Sequence, residues 1–183
     1  MKDDAIEAGF RMALETNAEL LGRVPIFTGL SQAQLTAIAN KGKKSYFAEG
    51  RALLTAGDKG DTAYLILTGL ASTEPAAESG LQPELLEPGT LVGELAMLVD
   101  SVHRMTVKAK VRVRALAIPR ADLYELMESD PSVAHHFSQK LVDRLLELAS
   151  DLRKLDAQVA GVEISMAESL VMVDMAESLA MVG

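Results

Sequence analysis

Between Lys44 and Ile118 the apolar runs are short and are punctuated by turn residues, among them Glu-Gly, Gly-Asp and Pro-Gly pairs. Turn signals recur about every ten residues through "YFAEGRALLTAGDKGDTAYLILTGLAS" and "LLEPGTLVGE". Short antiparallel strands fit between such turn signals. The region therefore reads as a small all-β barrel or sandwich. Met105, Val107, Ala109, Val111 and Val113 alternate with Thr106, Lys108, Lys110 and Arg112. That alternation predicts a half-buried strand pair with its cations outward. Those cations read as a solvated, edge-protecting face, with an anionic partner as the alternative.

Helical texture flanks this region. Residues 5–21 carry Ile6, Met12, Ala13, Leu20 and Leu21 at roughly helical spacing, and Gly22 and Pro25 end the run. Ser31 is placed to cap a short helix whose buried stripe is Leu35, Ile38 and Ala39. After the strands, "PRADLYELMESD" is a short helix, and Asp130-Pro131 offers an N-cap followed by a proline at the first helical position. Ala134, Leu141, Leu145, Leu148, Leu152, Leu155 and Val159 then form a seam, spaced by threes and fours from Leu141 onward. Such a seam needs a cover. A homodimer through Leu141, Leu145, Leu148, Leu152 and Leu155 is expected, with a fold-back of the amino-terminal helices or the tail as the alternative.

Residues 161–183 hold a near-repeat, MAESLVMV and MAESLAMV, offset by nine residues. Nine residues turn a helix through about two and a half revolutions, and nine is odd in a strand, so the copies face opposite ways in either state. Glu163, Glu168, Asp174 and Glu177 make the tail unfit for a membrane span. Docking to an unidentified protein partner and an unstructured tail are both open readings.

Composition excludes several classes. The chain has 183 residues, 18 Lys and Arg against 26 Asp and Glu, a net charge of −8, and no cysteine. Disulfides and thiolate chemistry are thereby absent, and the molecule as a whole has no basic footprint for nucleic acid. The acidic, amphipathic start is not a secretory signal and no run is long enough to span a bilayer, so a cytoplasmic protein is expected. His135 and His136 point about 100° apart on a helix and cannot share one metal ion. Asp58 and Asp61 read as turn formers, and no nucleophile elbow or Walker loop is present. Neither catalysis nor a metal or cofactor is expected.

Taken together, "FAEG…GDKGDTAYLILTG", "PGTLVGELAML" and "ALAIPRADLYELM" resemble the cyclic nucleotide-binding domain of the catabolite activator protein, protein kinase A regulatory subunits and nucleotide-gated channels. The similarity runs from about residue 24 to 155. It implies an α+β fold, an antiparallel, jelly-roll-like β-roll flanked by N-terminal helices and a long C-terminal helix. It divides the chain into an N-terminal helix (1–23), a binding domain with its dimerisation helix (24–160) and a tail (161–183). The DNA-reading domain that follows this helix in catabolite activators has no counterpart in residues 161–183, so a stand-alone sensor with no DNA partner is expected. Its ligand would be cAMP more readily than cGMP.

The resemblance also assigns a ligand site: Gly93, Glu94, Leu95, Ala96, His103, Arg104 and Thr106. Gly93 lets the backbone approach a ligand, and the amides opening the Glu94-Leu95-Ala96 turn suit an anion. Glu94 matches the glutamate that accepts from the ribose 2′-hydroxyl. The kinase and channel register puts His103 where the phosphate arginine belongs, with Thr106-Val107 in the following Thr-Val. The bacterial-activator register selects Arg104 but leaves Met105 at a serine position. Arginine grips phosphate with a bidentate fork, whereas a histidine offers a single donor and makes binding weak, pH-dependent or absent. A pocket that has lost its ligand would leave a dimeric scaffold.

Overall fold

The computed structural model describes residues 17–75 and 82–154. The seam residues Leu155 and Val159, the repeat tail and the first sixteen residues lie outside this range. The described chain falls into two compact units, one ending at Phe137 and one beginning at Ser138.

In the first unit, helix α1 (17–22) leads through a 3-10 turn, Pro25–Phe27, to α2 (Gln32–Lys41). Ser31 starts α2 through a full capping box: its hydroxyl accepts from the Gln34 amide while Gln34 Oε1 accepts from the Ser31 amide at 2.9 Å. Leu35, Ile38 and Ala39 are the buried stripe of α2, as their spacing predicts.

Among the described residues, ten short strands follow: β1 (Lys43–Phe47), β2 (Ala52–Leu54), β3 (Lys59–Gly60), β4 (Thr62–Thr68), β5 (Ala71–Glu74), β6 (Leu85–Leu86), β7 (Leu91–Val92), β8 (Ser101–Val102), β9 (Thr106–Ala109) and β10 (Val113–Pro119). They pair antiparallel in two four-stranded sheets, β1-β10-β4-β7 and β2-β9-β5-β6, with β3-β8 as a separate ribbon. Leu53, Leu54, Ile66, Ala71, Leu86, Val92, Val107, Ala109, Val113 and Ala115 fill the roll, with Phe47 and Tyr64 at its margin. Leu116 and Ile118 alternate with Ala115 and are buried too, on the face of β10 that α2 and α3 (Arg120–Ser129) approach. Burial on both faces explains why residues 115–118 read as an unbroken apolar run.

One expectation is corrected. The alternation over 105–113 is not continuous, because a turn at 110–112 separates β9 from β10. Val107, Ala109 and Val113 are buried, but Met105 and Val111 are 41% and 44% exposed. Edge protection fails for the same run: β9 lies between β2 and β5, and β10 between β1 and β4.

Helix α4 (131–154) begins at Asp130, whose carboxylate accepts from the Ser132 amide at 3.0 Å. The Ser132 hydroxyl and then the Gln34 side-chain amide hold that carboxyl below the usual carboxylate range. Phe137 packs edge-on against Phe27, their centroids 5.8 Å apart. His136 Nε2 lies 2.8 Å from the Ile26 carbonyl, so the start of α4 is tied to the Pro25–Phe27 turn, and His135 stays exposed. In the second unit Leu141 is half-buried, while Leu145, Leu148 and Leu152 are at least half exposed.

Candidate functional site

The segment from Gly93 to Thr106 is shaped first by its glycine. Gly93 has φ of 75° and starts a 3-10 turn over Glu94–Met97. A side chain there would be strained, and its β-carbon would lie 3.0 Å from the Thr62 carbonyl oxygen and 3.5 Å from the Leu54 side chain. The turn is thereby pressed onto the start of β4 and the end of β2. Met97 and Leu98 anchor it in the core, and Tyr124 of α3 donates its hydroxyl to the Leu98 carbonyl at 2.5 Å. Arg120, also of α3, pairs with Asp100 at 2.6 Å, an ion pair whose carboxylate is solvent-exposed and so contributes little.

The other end of the segment is fixed by the turn that follows β2. The His103 amide donates to the Asp58 carbonyl at 3.0 Å, and the Gly57 amide donates to the His103 carbonyl at 2.9 Å. With its backbone held on both sides, His103 lays its imidazole across Gly60, where any β-carbon would strike the ring. The Ala96 methyl meets Gly60 from the other end of the segment. Gly60 is the point at which both ends converge.

Beside it opens a cleft of about 200 Å³, lined by Leu53, Leu54, Thr55, Asp58, Lys59, Gly60, Asp61, Thr62, Tyr64 and His103. Lys59 and His103 bring basic groups, Asp58 and Asp61 carboxylates. Burial, followed by the charge of Asp61, raises the Tyr64 hydroxyl above its ordinary pKa. The ring of Tyr64 is steadied edge-on by Phe47, 5.4 Å away.

The expected site residues are distributed as follows. Gly93, Ala96 and His103 meet around Gly60 and Thr62. Glu94 is half-buried in the same turn, and Leu95 is 46% exposed. The Ala96 amide already donates to the Gly93 carbonyl at 2.9 Å. Of the seven only His103 is among the residues lining the cleft, and Arg104 is exposed. Thr106 stands at the start of β9, where its hydroxyl oxygen accepts from the Ala56 amide at 3.0 Å. Asp58 and Asp61 are turn residues, as expected, and also line the cleft. Lys59, Gly60, Thr62 and Tyr64 were not anticipated as lining; only the Gly-Asp pairs flanking Lys59 marked their loop as unusual.

The sequence model of the cyclic nucleotide-binding domain matches residues 44–130, the roll together with α3. That segment belongs to the cyclic nucleotide-binding domain family. Relatives of the domain include a cyclic nucleotide-gated potassium channel from Mesorhizobium japonicum, 27% identical over 128 residues, covering 70% of this chain and 35% of the channel. The cyclic AMP receptor protein of Thermus thermophilus is 27% identical over 138 residues, covering 74% of this chain and 64% of the receptor. The chain thus spans about a third of the channel and under two thirds of the receptor. In fold, the N-terminal domain of a transcriptional regulator from Streptomyces coelicolor superposes with a TM-score of 0.65 at 24% identity, covering 72% of this chain and 92% of that one. Among the described residues of the binding domain and its flanking helices, no helix is long and apolar enough to cross a membrane, and no cluster could hold a metal ion.

Proposed function

We propose that this domain is a regulatory sensor that binds a cyclic nucleotide, cAMP ahead of cGMP, in the cytoplasm. It acts as a homodimer that passes occupancy to a partner protein, and it is not an enzyme. The observation that carries the reading is the convergence of Ala96 and His103 on Gly60, with Gly93 against the neighbouring Thr62, beside a polar cleft that Gly60, Thr62 and His103 line. In this reading Glu94 accepts from the ribose, His103 and Lys59 face the cyclic phosphate, and the Thr106 hydroxyl is still able to donate. Support for cAMP comes from the cyclic AMP receptor protein among the relatives. The cleft, about 200 Å³, is smaller than the roughly 300–1,000 Å³ usual for small-molecule sites, so ligand entry should widen it. Support for the dimer comes from Leu145, Leu148 and Leu152, apolar yet exposed on one chain.

Calorimetric titration with cAMP and cGMP tests the proposal on the parent protein and on Glu94→Ala, His103→Ala and Arg104→Ala. Micromolar cAMP binding, weakened by the first two substitutions and unaltered by the third, is the expected result. Binding lost only in Arg104→Ala would move the phosphate contact to that residue. No binding by the parent below millimolar ligand would leave a non-binding domain used as a scaffold. Sedimentation of the parent and of Leu148→Asp should show a dimer and a monomer respectively.

A further inference from the structure

Three turns meet at one end of the roll: 48–51 joining β1 to β2, 69–70 joining β4 to β5, and 110–112 joining β9 to β10. The Gly50 amide donates to the Ala109 carbonyl at 2.8 Å, the Ala109 amide to the Arg51 carbonyl at 2.9 Å, and the Lys110 amide to the Leu70 carbonyl at 2.8 Å. Gly69, at φ +93°, lies so close to Arg112 that a β-carbon would strike its carbonyl oxygen. Backbone contacts therefore hold these turns together.

Their side chains form a basic cluster. Arg51, Lys110 and Arg112 lie on the turns, and Arg114 follows at the start of β10; all four are exposed. None forms an ion pair among the described residues. Nearby Lys108 differs, being paired with Glu74 at 2.7 Å. Glu49 is the one carboxylate on the three turns. Arg114 stands opposite Tyr46 of β1, which is 66% exposed, and Val111 is exposed between Lys110 and Arg112.

Four unpaired cations are gathered here in a chain of net charge −8. Neighbouring like charges repel one another, and an anionic partner would relieve that repulsion. Edge protection does not account for Lys110, Arg112 and Arg114, which lie on or between the interior strands β9 and β10, although Arg51 adjoins the edge strand β2. We propose that this end of the roll docks an acidic peptide segment of a partner protein. Arg51, Lys110, Arg112 and Arg114 meet its carboxylates, and Tyr46 and Val111 meet its apolar side chains. A peptide touches the cluster alone, whereas a duplex or a membrane would face the acidic remainder of the molecule as well. The turns lie at the opposite end of β2 from the cleft-lining Thr55, so the surface is separate from the ligand site.

Fluorescence anisotropy with fluorescein-labelled octaglutamate tests this, using the full chain at low salt. The parent should bind, and added salt should weaken binding. Lys110→Gln combined with Arg112→Gln should weaken it about tenfold or more, since two charge-assisted contacts are lost. Lys108→Gln should leave it nearly unchanged. Thermal melts of both variants alongside the parent separate lost contacts from lost fold. The proposal is overturned if the parent fails to bind the peptide, or if the double variant binds it as tightly as the parent. Binding of oligothymidylate or of phosphatidylserine-rich vesicles without peptide binding would also overturn it.

Discussion

Residues 93–97 and 101–106 both reach Gly60 at the cleft, through Ala96 and His103, and they are held there by different means. At the first end the constraint is in the backbone: a left-handed glycine lies against the Thr62 carbonyl. At the second end the backbone is hydrogen-bonded to the 57–58 turn, but what reaches the cleft is a single imidazole. Backbone constraints admit few residue types, so the first end keeps a recognisable sequence. A side chain exchanged on a fixed backbone alters the chemistry and leaves the fold alone.

The largest expected effect tests the backbone end. Gly93→Val forces a β-branched residue to φ near +75° and drives its β-carbon toward the Thr62 oxygen. Strain and overpacking together predict a stability loss of about 2–4 kcal/mol, read by urea denaturation. A loss under about 1 kcal/mol would show that the turn can relax and that backbone geometry does not limit this end.

His103→Arg tests the side-chain end and should act in the opposite sense. A guanidinium facing the phosphate adds a charge-assisted contact of roughly 1.5–3 kcal/mol, so cAMP should bind about ten- to a hundredfold more tightly. Stability should change little. Calorimetry and melting curves on the same preparation read both quantities, and unaltered affinity would mean that position 103 does not face the phosphate.

The same contrast explains what could be read from the sequence. The Ser31 cap and the buried stripe of α2 are local patterns, and each was legible. So was the Gly93 turn, because a glycine before Glu-Leu-Ala is itself the constraint. The exposure of Met105 and Val111 was not. A period of two assumes that the strand continues, and the 110–112 turn breaks it. Nor did spacing alone decide between His103 and Arg104, since both registers fit the count. What aims His103 at the cleft is its pairing with Asp58 and Gly57, a contact between distant parts of the chain. Lys59, Gly60 and Tyr64 reach the site through β3-β8 and β4-β7 pairing, which no local pattern encodes.

Gly60→Ala asks whether the two ends are coupled. Its β-carbon would press on the His103 ring and on the Ala96 methyl at 2.8 Å, one from each end. The cost should be about 1–2 kcal/mol of stability. Adding His103→Ala removes one of the two clashes, so the double substitution should cost less than the sum of the singles. A double-mutant cycle measures that difference, and strict additivity would mean the ends are independent.

Thr106→Val should have the smallest effect, and it separates scaffold from ligand chemistry at the edge of the segment. The threonine oxygen accepts from the Ala56 amide at 3.0 Å, and valine keeps the shape while removing that acceptor. Losing one hydrogen bond at a partly exposed position predicts about 1 kcal/mol of stability, visible as a lowered melting temperature. The Thr106 hydroxyl can also donate, so a ligand contact would show separately as weaker cAMP binding when affinity is measured well below the melting transition. Reduced stability with unaltered affinity assigns Thr106 to the scaffold. A loss in both places the boundary of the ligand site beyond His103.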